Sequence, residues 1–466
     1  MAPLDLSPAD FRALSRKISD FTADYLERLP NLPAFPLNVS GEAVNALFSA
    51  EVPIAPMGER AFDPLADVFA LSRPNSPRFF GYVFGSGLPI AALGDFAASV
   101  LNQNVTAWRS GPAAVTIERT VVGWLAEAIG CSGFSGSLTG GGSQANLMAL
   151  CMAREAKAPA NENGAQGGVI YCSDEAHMSM PKAAMMLGLG QKNVRRIPVN
   201  DRFQMDISHL RDAIMRDLRE GNRPIAVVAS AGTVATGSID PLPEIADICS
   251  EHNLWMHVDG AYGALAAMTV PEKFVGLNRA DSLSLDPHKW LYQPAGCGCL
   301  LYRDPAAAQR AFSHTEDYAR SLSTDPIESF AFFESSMELS RPFRALKIWL
   351  SLRYFGLQAF QQRIAEDLRL ARILADSVSA EPQLELLAPV ELSAVCFRYV
   401  RKNADLDHLN LEILQRIIQR GKVCISNATI RGQFALRACV VNHRSTEEDV
   451  KAVVSEVLHA ANEVSG

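Results

Sequence analysis

Ser282-Leu-Ser-Leu-Asp286-Pro-His-Lys289-Trp290 carries a short apolar run into a proline-fixed turn that holds a histidine, a lysine and a tryptophan. One step earlier in the chain, Leu254-Trp-Met-His-Val-Asp259-Gly-Ala261-Tyr262 ends a hydrophobic run in a carboxylate. Similar runs recur at Val169-Ile-Tyr-Cys, Val194-Arg-Arg-Ile-Pro-Val, Ile225-Ala-Val-Val-Ala and Cys299-Leu-Leu-Tyr, separated by helix-like amphipathic segments from about Pro112 to Tyr302. That alternation predicts an α/β fold, a mostly parallel sheet covered by helices on both faces. Ligands of such sheets gather at the carboxyl ends of the strands, where Asp259 and Lys289 fall.

Outward from this block the chain divides into three. Residues 1–65 read as a helical arm, with helices over Phe11 to Leu29 and Gly41 to Ala50 joined by the Pro-rich Leu29-Pro-Asn-Leu-Pro-Ala-Phe-Pro connector; an arm of this size cannot bury itself alone. Residues 66–345 form the large ligand-binding domain. Residues 346–466 form a small α/β unit: a long helix running from Phe343 to about Val378, strands at Ala394-Val-Cys-Phe-Arg-Tyr-Val and Phe434-Ala-Leu-Arg-Ala-Cys-Val-Val, a helix over Asp407 to Arg420, and a terminal helix from Ser445.

The 466 residues are 48% hydrophobic and 20% charged, enough for one large domain and a smaller companion. A net charge of −8 and the lack of a Lys/Arg run speak against nucleic acid or an anionic membrane surface as partner. The partner expected is a small molecule. The first residues hold early acids and no apolar signal core, and no apolar run is long enough to span a bilayer, so a cytoplasmic protein is expected. Nine cysteines without regular spacing fit reduced, buried thiols, and Cys297 and Cys299 lack the second pair or nearby histidines of a zinc site.

Four features carry chemistry. Lys289 follows a proline turn and precedes Trp290, Leu291 and Tyr292; desolvation there lowers the pKa of an ammonium, which imine chemistry needs, although a lysine at a strand-to-loop junction is also an ordinary surface charge. Leu138-Thr-Gly-Gly-Gly-Ser-Gln-Ala-Asn-Leu-Met puts glycines and Ser143 at a helix start, where bare N–H groups and the helix dipole can face one anion; it is neither a Walker loop nor a dinucleotide fingerprint. Asp259 either caps the next helix or faces a cation. His177, in Asp174-Glu-Ala-His177, either caps a helix or stacks on a flat ring, and Thr233 closes a turn or meets a ligand at a further strand end. Together, a phosphate cradle, a ring-stacking histidine, an aspartate for a pyridinium nitrogen and an imine-forming lysine describe a pyridoxal 5'-phosphate site.

On these residues, and on Ser76-Pro-Arg-Phe-Phe-Gly-Tyr, Gly111-Pro112-Ala with Glu118, His257-Val-Asp259-Gly-Ala261-Tyr262 and Arg341-Pro-Phe-Arg-Ala-Leu-Lys347, the chain resembles the group II pyridoxal-phosphate-dependent amino-acid decarboxylases over nearly its whole length. The resemblance implies fold type I and a homodimer with the site at the subunit interface. It further implies that Lys289 holds the cofactor as an internal aldimine, Asp259 pairs with the pyridine nitrogen, His177 stacks on the ring and Ala261 packs on its other face. Gly142, Ser143 and His288 are implied around the phosphate.

One position departs from the family. A loop tyrosine that helps protonate the quinonoid carbon is expected shortly before Arg341, and a gapless count puts Phe332 there, with Tyr318 as a distant substitute. Two reaction classes follow: a carboxy-lyase releasing amine and carbon dioxide, and an oxygen-consuming aldehyde synthase. Aminotransfer is a third, more distant reading. Trp108, Phe79 and Phe80 suggest an aromatic wall and hence an aromatic substrate, while Arg109 and Arg78 keep a glutamate-like or diaminobutyrate-like substrate open.

Overall fold

The computed structural model describes residues 4–37, 39–314 and 323–465. Tyr318 lies outside them. At the centre is a seven-stranded sheet formed by β1 (Ser135–Thr139), β2 (Val169–Ser173), β3 (Val194–Ile197), β4 (Pro224–Ser230), β5 (Trp255–Asp259), β6 (Ser282–Leu285) and β7 (Gly298–Tyr302), in the order β1-β7-β6-β5-β4-β2-β3. Neighbours from β3 to β6 pair parallel, and β7 alone runs against both of its neighbours. This is the mostly parallel α/β sheet expected from the sequence.

Both faces of this sheet are covered, and β2, β6 and β7 are buried at every position. On one face lies the helix Gly142–Lys157, which turns Ala145, Met148, Ala149, Met152 and Ala153 toward the strands. Each fully buried methionine there contributes about 1.5–3 kcal/mol of hydrophobic stabilisation. Helices Pro112–Ala128 and Leu242–Glu251 also pack on the sheet. Strand β1, Ser-Gly-Ser-Leu-Thr, escapes a reading based on β-branched runs because its small polar residues are held by pairing with β7 rather than by propensity.

A second, four-stranded antiparallel sheet has the order β10-β11-β9-β8, with β8 at Leu384–Leu386, β9 at Ala394–Tyr399, β10 at Ser426–Ile430 and β11 at Gln433–Cys439. Helices Leu357–Ala380, Leu406–Arg420 and Glu447–Ser465 share its core with Phe397 and Leu436. The single long helix expected from Phe343 is two helices, Ala345–Phe355 and Leu357–Ala380. Between them Gly356 sits at φ +76°, a conformation that ends a helix and costs other residues dearly. The first of the pair packs on helices Pro89–Leu101 and Pro112–Ala128 of the large sheet's unit.

The chain between these helices is anchored by one buried ion pair. Arg341, with a wholly buried side chain, donates to Glu118, to the Val105 carbonyl at 2.9 Å and to the Leu138 carbonyl at 2.8 Å, while Glu118 accepts from the Leu138 N–H at 2.9 Å. It thereby ties β1, and the glycine run that follows it, to helix Pro112–Ala128. Arg341→Met strands a buried carboxylate and should lower the unfolding free energy by about 3–5 kcal/mol, whereas adding Glu118→Gln should restore part of the loss. Thermal unfolding of the two variants checks this; equal destabilisation by both would refute it.

Candidate active site

Parallel pairing brings the ends of three strands into line: Ser230 of β4 lies beside Asp259 of β5, which lies beside Ser284 of β6. Beyond them opens a cavity of about 430 Å³ whose lining includes Gly142, Ser143, His177, Thr233, Asp259, Ala261, His288 and Lys289. All eight residues singled out from the sequence as cofactor ligands are therefore brought together. The strand ends deliver Asp259 directly, the turn after β6 delivers His288 and Lys289, and the loop after β2 delivers His177.

Lys289 sits in the short helix Pro287–Trp290, its side chain only 15% exposed. Its ammonium is not simply stripped of water, because Nζ lies 3.1 Å from the Asp286 carboxylate, which also stands 3.4 Å from His288 Nε2. Asp286 is buried, and its other oxygen, Oδ1, has no hydrogen-bond partner. Burial holds both His177 and His288 below the usual imidazole range, overriding the nearby carboxylates, so both rings are neutral near pH 7.

Asp259 is fixed on both oxygens. Oδ1 accepts from the Ala261 N–H at 3.1 Å and the Ser284 hydroxyl at 3.2 Å, and Oδ2 accepts from the Asn146 amide at 2.9 Å. Thr233 lines the cavity while its hydroxyl meets Thr236 at 2.9 Å and accepts from the Ser238 N–H at 3.1 Å. The helix Gly142–Lys157 points its N-terminus into the same cavity, where the N–H groups of its first two residues, Gly142 and Ser143, lack intrahelical acceptors. Gly142 is required by space: a Cβ there would lie 2.7 Å from Ala261 Cβ.

These features fit pyridoxal 5'-phosphate: a helix N-terminus for the phosphate, a half-buried carboxylate held on both oxygens, an imidazole and a lysine, all lining one cavity. The fit includes residues that motif reading passed over, Asn146 and Asp286. The available signal was a polar side chain in the otherwise apolar stripe Ala145, Ala149, Ala153, and an acid three positions before the lysine.

Within the single chain the aromatic residues do not gather around the lysine cavity. Phe80 is wholly buried in the core of the small sheet, with its N–H on the Cys424 carbonyl at 2.7 Å. Phe332 is also wholly buried, its ring 4.3 Å from the Arg341 guanidinium carbon and edge-on to Phe330. Trp108 is half-buried against the large core, and Phe79 packs under Arg73. None of them lines the lysine cavity, because apolar rings next to two hydrophobic cores gain more by joining them. Arg78 pairs with Asp449 at 2.9 Å, and Arg109 lines a separate cavity.

Comparison with known proteins agrees with the geometry. The model of the pyridoxal-dependent decarboxylase conserved domain matches residues 68–400. An aromatic-L-amino-acid decarboxylase of Bacillus atrophaeus is 32% identical, over 99% of this chain and 98% of its own. A phenylacetaldehyde synthase of Petunia hybrida is 29% identical, over 93% and 91%. Among solved structures, Oryza sativa TDC with PLP and tryptamine superposes with a TM-score of 0.92 at 27% identity, over 100% of this chain and 99% of that one. The chain thus belongs to the pyridoxal-dependent decarboxylase family and is a pyridoxal 5'-phosphate-dependent amino-acid decarboxylase.

Proposed function

We propose that this enzyme decarboxylates an aromatic L-amino acid, with Lys289 as the cofactor-bearing lysine and Asp259 and His177 as its principal partners. The observation that carries the substrate class is the full-length likeness to an aromatic-L-amino-acid decarboxylase. When bound, the cofactor supplies a protonated aromatic ring that delocalises the electron pair left at Cα as carbon dioxide departs.

The chain's own residues prepare that step. Asp259, braced on both oxygens, would hold a proton on the ring nitrogen by placing a fixed carboxylate beside it. His177 would cover one ring face without adding a second cation, and Ala261 would leave room on the other. Gly142, Ser143 and His288 would surround the phosphate at the helix N-terminus, with Thr233 on the same cavity. Asp286 receives the Lys289 ammonium whenever the lysine is free.

A second reading, the oxygen-dependent aldehyde synthase, is favoured by a specific observation. The segment before Arg341 offers a phenylalanine at position 332, buried in the core, and the Tyr262 phenol on the cavity wall is turned to Ser393 at 2.8 Å. Tyr262 is the tyrosine on this cavity among the described residues, and Tyr318 lies outside them. Were no phenol to return a proton, the electron pair left at Cα would pass to dioxygen, giving peroxide, and water would release aldehyde and ammonia after carbon dioxide has left.

The thinly packed N-terminal arm supports a homodimer. Helix Pro8–Arg28 buries none of its residues in its own chain, and Leu93, Phe96 and Val100 form an exposed apolar stripe on helix Pro89–Leu101, with Phe96 stacked on Phe11. A cytoplasmic setting is in keeping with nine free cysteines; among the described residues no helix is long and apolar enough to cross a membrane.

Lys289→Ala should abolish the visible absorption of lysine-bound cofactor, and Asp259→Asn should lower kcat by roughly a hundred- to a thousandfold. Near-normal turnover in either variant would refute the assignment. Incubating the holoenzyme with each amino acid while measuring amine, aldehyde, peroxide and oxygen uptake should give amine from an aromatic substrate; stoichiometric peroxide and aldehyde would establish the second reading instead. Sedimentation should give the mass of two chains, falling to one in Leu93→Glu with Val100→Glu; a monomeric wild type would end the dimer proposal.

A further inference from the structure

Behind Asp259 runs a buried chain of hydrogen bonds. Trp255 Nε1 donates to Ser282 Oγ at 2.8 Å, Ser282 Oγ lies 3.0 Å from His257 Nδ1, and His257 Nε2 lies 2.9 Å from Asn146 Oδ1. From Asn146 the chain forks: Nδ2 donates to Asp259 Oδ2 at 2.9 Å and to Ser179 Oγ at 3.0 Å. Ser179 Oγ in turn lies 2.9 Å from His177 Nδ1. Asn146, His257 and Ser282 are essentially inaccessible to water.

The chemistry of the partners sets a single direction along this chain. A carboxylate only accepts, so Asn146 turns its NH₂ to Asp259 and its carbonyl to His257, whose Nε2 must then carry a hydrogen. The Ser282 carbonyl, 3.2 Å from His257 Nδ1, would suit a second hydrogen on the ring. Burial opposes that cation and lowers the pKa of His257 to about 4, so Nδ1 keeps its lone pair for the Ser282 hydroxyl. On the other branch Ser179 Oγ accepts from Asn146, which leaves its own hydrogen for His177 Nδ1. The Ser179 N–H points at that same nitrogen from 3.3 Å. Two donors converging on Nδ1 leave the ring hydrogen of His177 on Nε2.

We propose that Asn146 is a positioning residue that orients the Asp259 carboxylate and, through Ser179, fixes His177 as the neutral Nε2–H tautomer in the cofactor cavity. The proposal rests on the reading that Asp259 and His177 face the cofactor ring. One amide group thereby serves both sides of the site: it holds the anion that pairs with the ring nitrogen, and it keeps a second cation from forming beside it.

The test uses the full-length chain with ¹⁵N-labelled histidine, loaded with pyridoxal phosphate and also stripped of it. Side-chain nitrogen–proton correlations at neutral pH should give His177 and His257 each a lone-pair Nδ1 and a protonated Nε2. Ser179→Ala should convert His177 to a mixture of tautomers and leave His257 unchanged; Asn146→Ala should disturb both and weaken cofactor affinity about tenfold. Ser179→Ala keeps the proposal testable if Asn146→Ala fails to fold. A protonated Nδ1 on His177 in the wild type, or an unaltered His177 in Ser179→Ala, overturns the relay. His177 resonances that do not move when pyridoxal phosphate is added overturn the site reading beneath it, a result distinct from failure of the relay because it leaves the tautomers as expected.

Discussion

The constraint on which this molecule depends is the register of three parallel strands. Because Ser230, Asp259 and Ser284 are paired neighbours, the carboxylate emerges level with the ends of β4 and β6. The turn that carries Lys289 then begins within a few residues of it. A one-residue slip in β5 would send Asp259 to the opposite face of the sheet, where it would lose the Asn146 amide and the Ser284 hydroxyl. Burial of every residue in β6 and four of five in β5 resists that slip, so the hydrophobic core sets the position of the polar chemistry.

The polar groups behind Asp259 are tolerated because they answer one another. Trp255, Ser282, His257 and Asn146 would each be costly alone in this setting; joined end to end they satisfy one another and terminate on Asp259. Asp286 differs. Its Oδ2 faces Lys289, and its Oδ1 has no hydrogen-bond partner among the described residues.

Much of the fold was legible because it is written in local pattern. Apolar runs ending in Asp259 and Asp286 located β5 and β6, and the glycines after Leu138 located a helix start, so the eight candidate residues fell into one cavity. What local pattern hid was tertiary in origin. β1 forms because β7 pairs with it, and the helix after Phe343 breaks at a single glycine. Phe80 and Phe332, aromatic and near the right motifs, were drawn into cores that only the assembled chain creates. Asn146 was visible as a polar residue in an alanine stripe, but its partners come from two other segments, β5 and the stretch after β2.

The seating of Phe80 reaches beyond packing. Its backbone bonds to Cys424 and Cys439 stitch the segment into the small sheet, and five residues later the Gly85 N–H meets the carbonyl of His288 at 3.1 Å, inside the lysine's own turn. The two halves of the molecule are therefore not separable modules. A fragment ending before the second sheet would leave Phe80 in water and the segment that braces the lysine turn without its anchor.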